Sequence, residues 1–211
     1  MRRKEKAYRG LAFIASFLLW TILVRNFDVG AIGPNGSLVG FSTLNGLVHD
    51  FIGVNMNLYV ITDWLGIIPL LFIIGFGIFG LAQWIKRKSI TKVDFDILAL
   101  GVFYIIVMGV YLTFENVVIN FRPVLIEGFL EASYPSSTTM LVVCVIPSAI
   151  MVLNSRIERI WVKRAVTVTL TVFGAFMVAG RLISGVHWLT DILGGILISK
   201  GLVMLYDFAR K

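Results

Sequence analysis

The stretch GRLISGVHWLTDILGG, residues 180–195, places three ionisable side chains at the edge of an apolar segment: Arg181, His187 and Asp191. Unpaired charge is costly in lipid, so such residues need partners or a function. His187 and Asp191 are four residues apart, so on a helix they would share a face and the carboxylate would reach the imidazole. The stretch therefore predicts a polar site at the mouth of a membrane-spanning helix.

The composition around this stretch is that of a membrane protein. Hydrophobic residues make up 58% of the chain and the mean hydropathy is +0.90, whereas a soluble domain is about 45–50% apolar. The strand alternation of a β-barrel is absent. We therefore expect an all-α, polytopic protein in which residues 1–211 form a single membrane domain with six transmembrane helices. These helices are expected at about 10–27, 64–85, 95–114, 138–154, 165–183 and 188–208.

The net charge of +7 follows the predicted topology and does not indicate nucleic-acid binding. Fifteen of the nineteen basic residues lie before the first span, between spans two and three, between spans four and five, and after span six. If six spans alternate, all of these segments share one side. By the positive-inside rule that side is cytoplasmic, with both termini inside.

Arg122 and Arg181 fall on the opposite side, where topology gives a positive charge no use. The loop that contains Arg122 ends in Pro135-Ser136-Ser137 before span four. Serine is a frequent helix N-cap, and a helix N-terminus also attracts anions. Two guanidinium groups, serine donors and a histidine held by a carboxylate suit cleavage of a phosphate ester. We expect the histidine to attack phosphorus and the arginines to hold the phosphoryl oxygens.

Three motifs in chain order resemble those of the type 2 phosphatidic acid phosphatase superfamily, Lys-x6-Arg-Pro, Pro-Ser-Gly-His and Ser-Arg-x5-His-x3-Asp. Arg122-Pro123 matches the end of the first motif and Pro135-Ser136 the start of the second. Arg181, His187 and Asp191 match the third at the required spacing, with Gly180 in place of the leading serine. The resemblance covers about residues 95–208. It implies a helical core shared with vanadium haloperoxidases, catalysis by His187, Asp191, Arg122, Arg181 and Ser136, and a substrate contact at Pro135.

The chain departs from the family pattern at three positions of the site. Glu115 stands where the family has the phosphate-binding lysine, Ser137 replaces the glycine, and Thr138 replaces the histidine that protonates the leaving group. We expect all three to line the substrate site. Loss of a general acid costs about 10²–10⁴ in rate, and the loss matters less when the leaving group is a phosphate, with a pKa of about 6. A polyprenyl diphosphate such as undecaprenyl diphosphate is thus favoured, with Glu127 or Glu131 as a substitute acid.

The sequence therefore predicts a metal-independent lipid phosphatase without cofactors, with its site on the extracytoplasmic face of the cell membrane. Its expected partners are a lipid phosphate and the membrane, and nucleic acid is not among them. Two alternatives use the same site: an inactive relative that binds a phospholipid or isoprenoid phosphate headgroup, and a phosphotransferase. A channel or transporter is disfavoured because the charged groups collect at one face and no internal symmetry is evident.

Overall fold

The structure, a computed structural model, describes residues 3–210, so the basic residues Arg2 and Lys211 lie outside the described part. The fold is all-α, as predicted, and the described residues contain no strand beyond isolated bridges in loops. The eight α-helices of the described residues are α1 Arg3–Asn26, α2 Ser42–Ile52, α3 Met56–Leu65, α4 Ile67–Arg87, α5 Phe95–Asn116, α6 Ser137–Arg156, α7 Ile160–Ile183 and α8 Leu189–Ala209.

Six segments of the described chain are long and apolar enough to cross a membrane, which confirms the predicted number. The second of them consists of α3 and α4 together, Met56–Arg87, and so begins before the expected residue 64. Polar residues in and just before α3 hid its start in the sequence, and the structure satisfies two of them, Thr62 and Asn55, locally. The Thr62 hydroxyl donates to the carbonyl of Leu58, and the Asn55 side chain caps the helix by accepting from the Leu58 amide.

Helix α8 lies in the interior of the bundle, and small residues along it let its neighbours approach closely. A side chain at Gly201 would collide with Ile14 of α1, and one at Gly194 would collide with the ring of Tyr134. Small residues at such contacts are typical of helix packing in membranes, where close van der Waals contact drives association. The packing fixes the N-terminus of α8 between α1 and the segment that precedes α6.

Ion pairs hold together the end of the bundle where α1 and α5 begin and α6 and α8 finish. Lys6 of α1 pairs with Asp207 of α8, and Arg156 of α6 lies 2.6 Å from Asp96 of α5. Arg87 Nη1 lies 2.8 Å from Asp94 Oδ1. The residues discussed next lie at the other end of the bundle, which we call the site end and which is marked by Ile183, where α7 finishes, and Leu189, where α8 begins.

An irregular hairpin, residues 120–133, lies across the site end between α5 and α6. The backbone amide of Arg122 donates to the carbonyl of Glu131, and that of Ser133 donates to the carbonyl of Asn120. The hairpin turns at Glu127 and Gly128, both with positive φ. This pairing brings Arg122 and Ser133 to the same part of the site end.

Candidate active site

His187 lies in the turn between α7 and α8 and is 3% exposed. The sequence suggested a helix that carries both His187 and Asp191, and this is corrected: α8 begins at Leu189, after the histidine. The turn contains Gly185 at φ +67°, and the amide of Asn55 donates to the carbonyl of Ser184. The chain before α3 therefore holds the turn in place from outside.

Asp191 does not bond to His187 directly, which corrects a second expectation. The Asp191 Oδ2 atom lies 3.9 Å from His187 Nδ1, and the hydroxyl of Ser133 stands between them. Ser133 Oγ lies 3.0 Å from Nδ1 and donates to Oδ2 at 2.5 Å. Since the α8 helix starts only after His187, the imidazole is carried away from the carboxylate and the hairpin supplies the missing link.

The hydrogen bonds of this cluster determine which ring nitrogen of His187 is free. Ser133 donates its proton to Asp191, so His187 Nδ1–H must donate to the Ser133 oxygen. This tautomer leaves a lone pair on Nε2. The Asp191 carboxylate is fully buried and also accepts from the Trp188 amide at 2.9 Å and, at 3.4 Å, from the Asn120 side chain. The arrangement is a histidine–serine–aspartate chain with a nucleophilic nitrogen at its end.

Two arginines converge on that nitrogen. Arg122 Nη1 and Arg181 Nη2 each lie 3.4 Å from His187 Nε2. Arg122 comes from the hairpin and is 9% exposed, whereas Arg181 comes from the last turn of α7 and is 1% exposed. Two forked cations around one nitrogen atom form a site for an anion with several oxygens.

Each arginine is held by an acidic partner on its far side. Arg122 Nε lies 3.0 Å from a carboxylate oxygen of Glu131. Arg181 Nη1 lies 3.5 Å from Asp63 Oδ1, and its guanidinium is 4.9 Å from the ring centre of Tyr59. These contacts orient the guanidinium groups and leave their other nitrogens directed at His187.

Burial lowers the pKa of His187 well below its usual range, and the positive charges of Arg122 and Arg181 lower it further. The imidazole is therefore neutral at neutral pH, and its Nε2 lone pair is available for attack.

A cavity of about 100 Å³ lies beside His187, and we call it the reaction cavity. Polar groups that line it are Glu115, Arg122, Ser133, Ser137 and His187, and Pro135 contributes to its wall. Thus three of the four residues predicted to contact substrate, Glu115, Pro135 and Ser137, line the cavity together with His187.

Ser136 and Thr138, and the two glutamates predicted as substitute acids, are not in the cavity wall. The hydroxyl of Ser136 is fully buried without a hydrogen-bond partner among the described residues, and its residue is not in the cavity wall. Its backbone amide donates to the Asp191 carbonyl, so it fixes the start of α6 against α8. Thr138 lines a separate apolar groove next to the cavity. Glu127 is at the hairpin turn, whereas Glu131 contacts Arg122.

Sequence reasoning missed Ser133, Asn120 and Asp63. Ser133 is 54 residues from His187 in the chain, and Asp63 is 118 residues from Arg181. No spacing signal links such residues. Their only trace in the sequence is a polar side chain next to an apolar segment. Among residues 3–210, no group of three or more histidine, cysteine, aspartate or glutamate side chains is arranged to hold a metal ion.

Comparison with known proteins gives a match to the PAP2 superfamily profile over residues 72–206. Among solved structures, the fold is similar to the crystal structure of the first transmembrane PAP2 type phosphatidylglycerolphosphate phosphatase from Bacillus subtilis. The two share 19% sequence identity with a TM-score of 0.60, and the alignment covers 95% of this chain and 94% of the other. A search of curated proteins finds no match.

Proposed function

Because the chain belongs to the PAP2 superfamily, we propose that it is a membrane lipid phosphatase that works through a phospho-histidine at His187. One observation carries the proposal: Arg122 and Arg181 each lie 3.4 Å from the free ring nitrogen of a buried, neutral histidine. A phosphoryl group placed there would meet both cations and the nucleophile at once. Preorganised positive groups around a reacting phosphoryl are the main source of catalysis in such transfers.

The first step forms the N–P bond. The Nε2 lone pair of His187 attacks phosphorus, the bond from phosphorus to the lipid oxygen breaks, and that oxygen leaves with the electron pair. The imidazole becomes cationic, and its Nδ1–H is held by Ser133 and, through it, by the Asp191 carboxylate. A buried carboxylate near an imidazolium stabilises the charge that forms. Arg122 and Arg181 hold the equatorial oxygens throughout.

The second step releases phosphate. Water attacks phosphorus from the side that the lipid has left, the N–P bond breaks, and inorganic phosphate departs. Ser137 is the first residue of α6, so its backbone amide has no partner within the helix. Together with the helix dipole, that amide favours a negative group at this end of the cavity.

The preferred substrate in this proposal is a lipid diphosphate, with undecaprenyl diphosphate as the example. Its leaving group is a phosphate monoester with a pKa of about 6, far less basic than an alkoxide. The fold neighbour is a phosphatidylglycerolphosphate phosphatase, which makes a lipid monophosphate the natural comparison. Purified protein in detergent that cleaved the monophosphate faster than the diphosphate would show the preference to be mistaken.

We propose that the site end faces the extracytoplasmic side. The support is the basic residues of the loops at the other end, which the positive-inside rule assigns to the cytoplasm. Cys144 is the sole cysteine, so Cys144→Ala gives a background for single-cysteine labelling. A cysteine in place of Glu127 should react with an impermeant reagent in intact cells, and one in place of Ser89 should not. The reverse pattern would invert the topology.

The test of activity is phosphate release in the presence of a chelator. Wild-type protein should release phosphate from a panel of lipid mono- and diphosphates with EDTA present, and His187→Ala should not. His49→Gln is the matched control because His49, the other histidine, packs against Trp188 and is not in the wall of the reaction cavity.

A second candidate function is headgroup binding without turnover. It is favoured by Glu115, whose carboxylate lines the reaction cavity where the family has a lysine. In that case wild-type protein would bind a lipid phosphate but release no phosphate, and Arg181→Gln would abolish the binding. Product analysis with an added alcohol separates hydrolysis from phosphotransfer.

A further inference from the structure

We propose that Asp63 is the proton donor to the leaving oxygen, in place of the histidine that the chain lacks at Thr138. This rests on the proposed function and adds a catalytic residue from α3, a helix outside the three motifs. The acid in this reaction must lie on the side of the phosphoryl group that faces the lipid, because the leaving oxygen is attached to the lipid. The position of the lipid's hydrocarbon chain therefore identifies where the proton donor has to lie.

An apolar groove beside the reaction cavity can hold the hydrocarbon chain of the lipid. It has a volume of about 560 Å³ and runs between α3 and α4, α5 and α6. Its walls include Trp64, Ile67 and Leu70 from the second span and Leu141 from α6. It shares Tyr111, Ser137 and Met140 with the reaction cavity, so the two spaces adjoin. A lipid whose phosphoryl group is at His187 would place its chain in this groove.

Asp63 brings a carboxylate to that groove. It lines the same groove as Thr138, the position at which the family carries its acid. Its carboxylate lies 3.5 Å from Arg181 Nη1, while Nη2 of the same guanidinium lies 3.4 Å from the nucleophilic nitrogen. A phosphoryl group bound by Arg181 would therefore have His187 on one side and Asp63 on the side of the groove. The other carboxylates near the site do not occupy this position: Glu115 lines the reaction cavity and Glu131 contacts Arg122.

The proton balance is complete with this residue. As His187 attacks and the bond from phosphorus to the lipid oxygen breaks, the Asp63 carboxyl gives its proton to that oxygen, and the lipid product leaves neutral at that atom. In the second step the Asp63 carboxylate takes a proton from the attacking water, which restores the acid.

The experiment compares two leaving groups on one lipid. Wild-type protein and Asp63→Asn are assayed on a prenyl monophosphate, which expels an alkoxide, and on the diphosphate of the same prenyl chain, which expels a phosphate. Asp63→Asn should lower kcat about 10²–10⁴-fold on the monophosphate, and by less than about tenfold on the diphosphate. Equal losses on both substrates, no loss on either, or a wild-type protein that cannot cleave the monophosphate would overturn the assignment.

Two further variants separate proton donation from a structural role. Thr138→His in the Asp63→Asn background places the family's acid in the same groove and should restore monophosphate cleavage at least tenfold. Glu115→Gln is the matched carboxylate control and should affect both substrates equally. If Glu115→Gln slowed cleavage of the monophosphate more than that of the diphosphate, and Asp63→Asn did not, the proton donor would be Glu115. Failure of wild-type protein to release phosphate from any lipid would refute the proposed function itself.

Discussion

At the scale of single residues, Ser133 determines how His187 and Asp191 are connected by hydrogen bonds. Its hydroxyl bridges His187 Nδ1 and Asp191 Oδ2, two atoms that lie 3.9 Å apart. The two residues do not share a helix, because α8 begins at Leu189, after the histidine. The hydroxyl therefore fixes both the tautomer and the orientation of the imidazole.

Ser133→Ala should reduce kcat by about 10- to 100-fold, because the change leaves His187 Nδ1–H and a lone pair of Asp191 without their partner, at a cost of about 1–3 kcal/mol. KM should change less, since the arginines that hold the phosphoryl group are untouched. Ser148→Ala is the control: this serine is also buried and hydrogen-bonded, but its partners are Tyr104 and its own helix. If Ser133→Ala were as active as wild type, Ser133 would have no role in orienting His187.

The protonation of His187 gives a prediction about pH. Burial, Arg122 and Arg181 lower its pKa, so removal of one cation in Arg122→Gln should raise it. NMR titration in a His49→Gln background leaves His187 as the only histidine signal. The signal should titrate at higher pH in Arg122→Gln than with Arg122 present. An unchanged or lower midpoint would show that the two groups do not interact.

The same pKa shift affects stability in a defined direction. The folded pKa of His187 lies below its unfolded value of about 6.5, so the unfolded state binds the proton more readily. The contribution of neutral His187 to the free energy of unfolding is therefore fully present above about pH 6.5. It is lost as the pH falls from about 6.5 toward the pKa of His187 in the folded protein.

At the scale of elements, the six spans could be predicted well, and the largest departure is the start of the second span, at Met56 instead of 64. Apolar length predicted six spans because lipid requires that length of helix. Polar residues such as Asp63 concealed α3, because its partner Arg181 lies 118 residues away in the chain. The start of α8 agrees with the prediction to within one residue. The turn before it could not be predicted, because it depends on contacts with the chain before α3.

That turn gives a prediction about Gly185. A side chain there would come within 2.0 Å of the Gly53 carbonyl oxygen, which is backbone and cannot move aside easily. Gly185→Ala should therefore displace the turn that carries His187, with a loss of stability of about 1–3 kcal/mol from overpacking and a large loss of activity. Thermal unfolding in detergent measures the first effect.

Gly128→Ala is the matched control for Gly185→Ala. Gly128 also has positive φ, but open space surrounds the position of a side chain. It should show only the strain of a left-handed residue, about 1–2 kcal/mol, and keep its activity. Equal losses of activity in the two variants would mean that the contact with Gly53 is unimportant.

At the scale of the whole molecule, the bundle brings together residues that no sequence pattern connects. Lys6 and Asp207 pair across 201 residues, and the order of helix packing that joins them depends on small residues such as Gly201. The motifs could predict that Arg122, Arg181 and His187 share a site, since three motifs in order imply one fold. They could not predict Ser133 or Asp63, because the hairpin register and the place of α3 depend on three-dimensional packing.

The most direct test of the account is to trap the covalent intermediate. Wild-type protein is mixed with a lipid phosphate, quenched in alkali and mapped by mass spectrometry. We predict a phosphoryl group on His187 and none on His49, with loss of the label in His187→Ala and in the double variant Arg122→Gln, Arg181→Gln. Rapid lipid hydrolysis with no label on His187, or with label on another residue, would contradict the account.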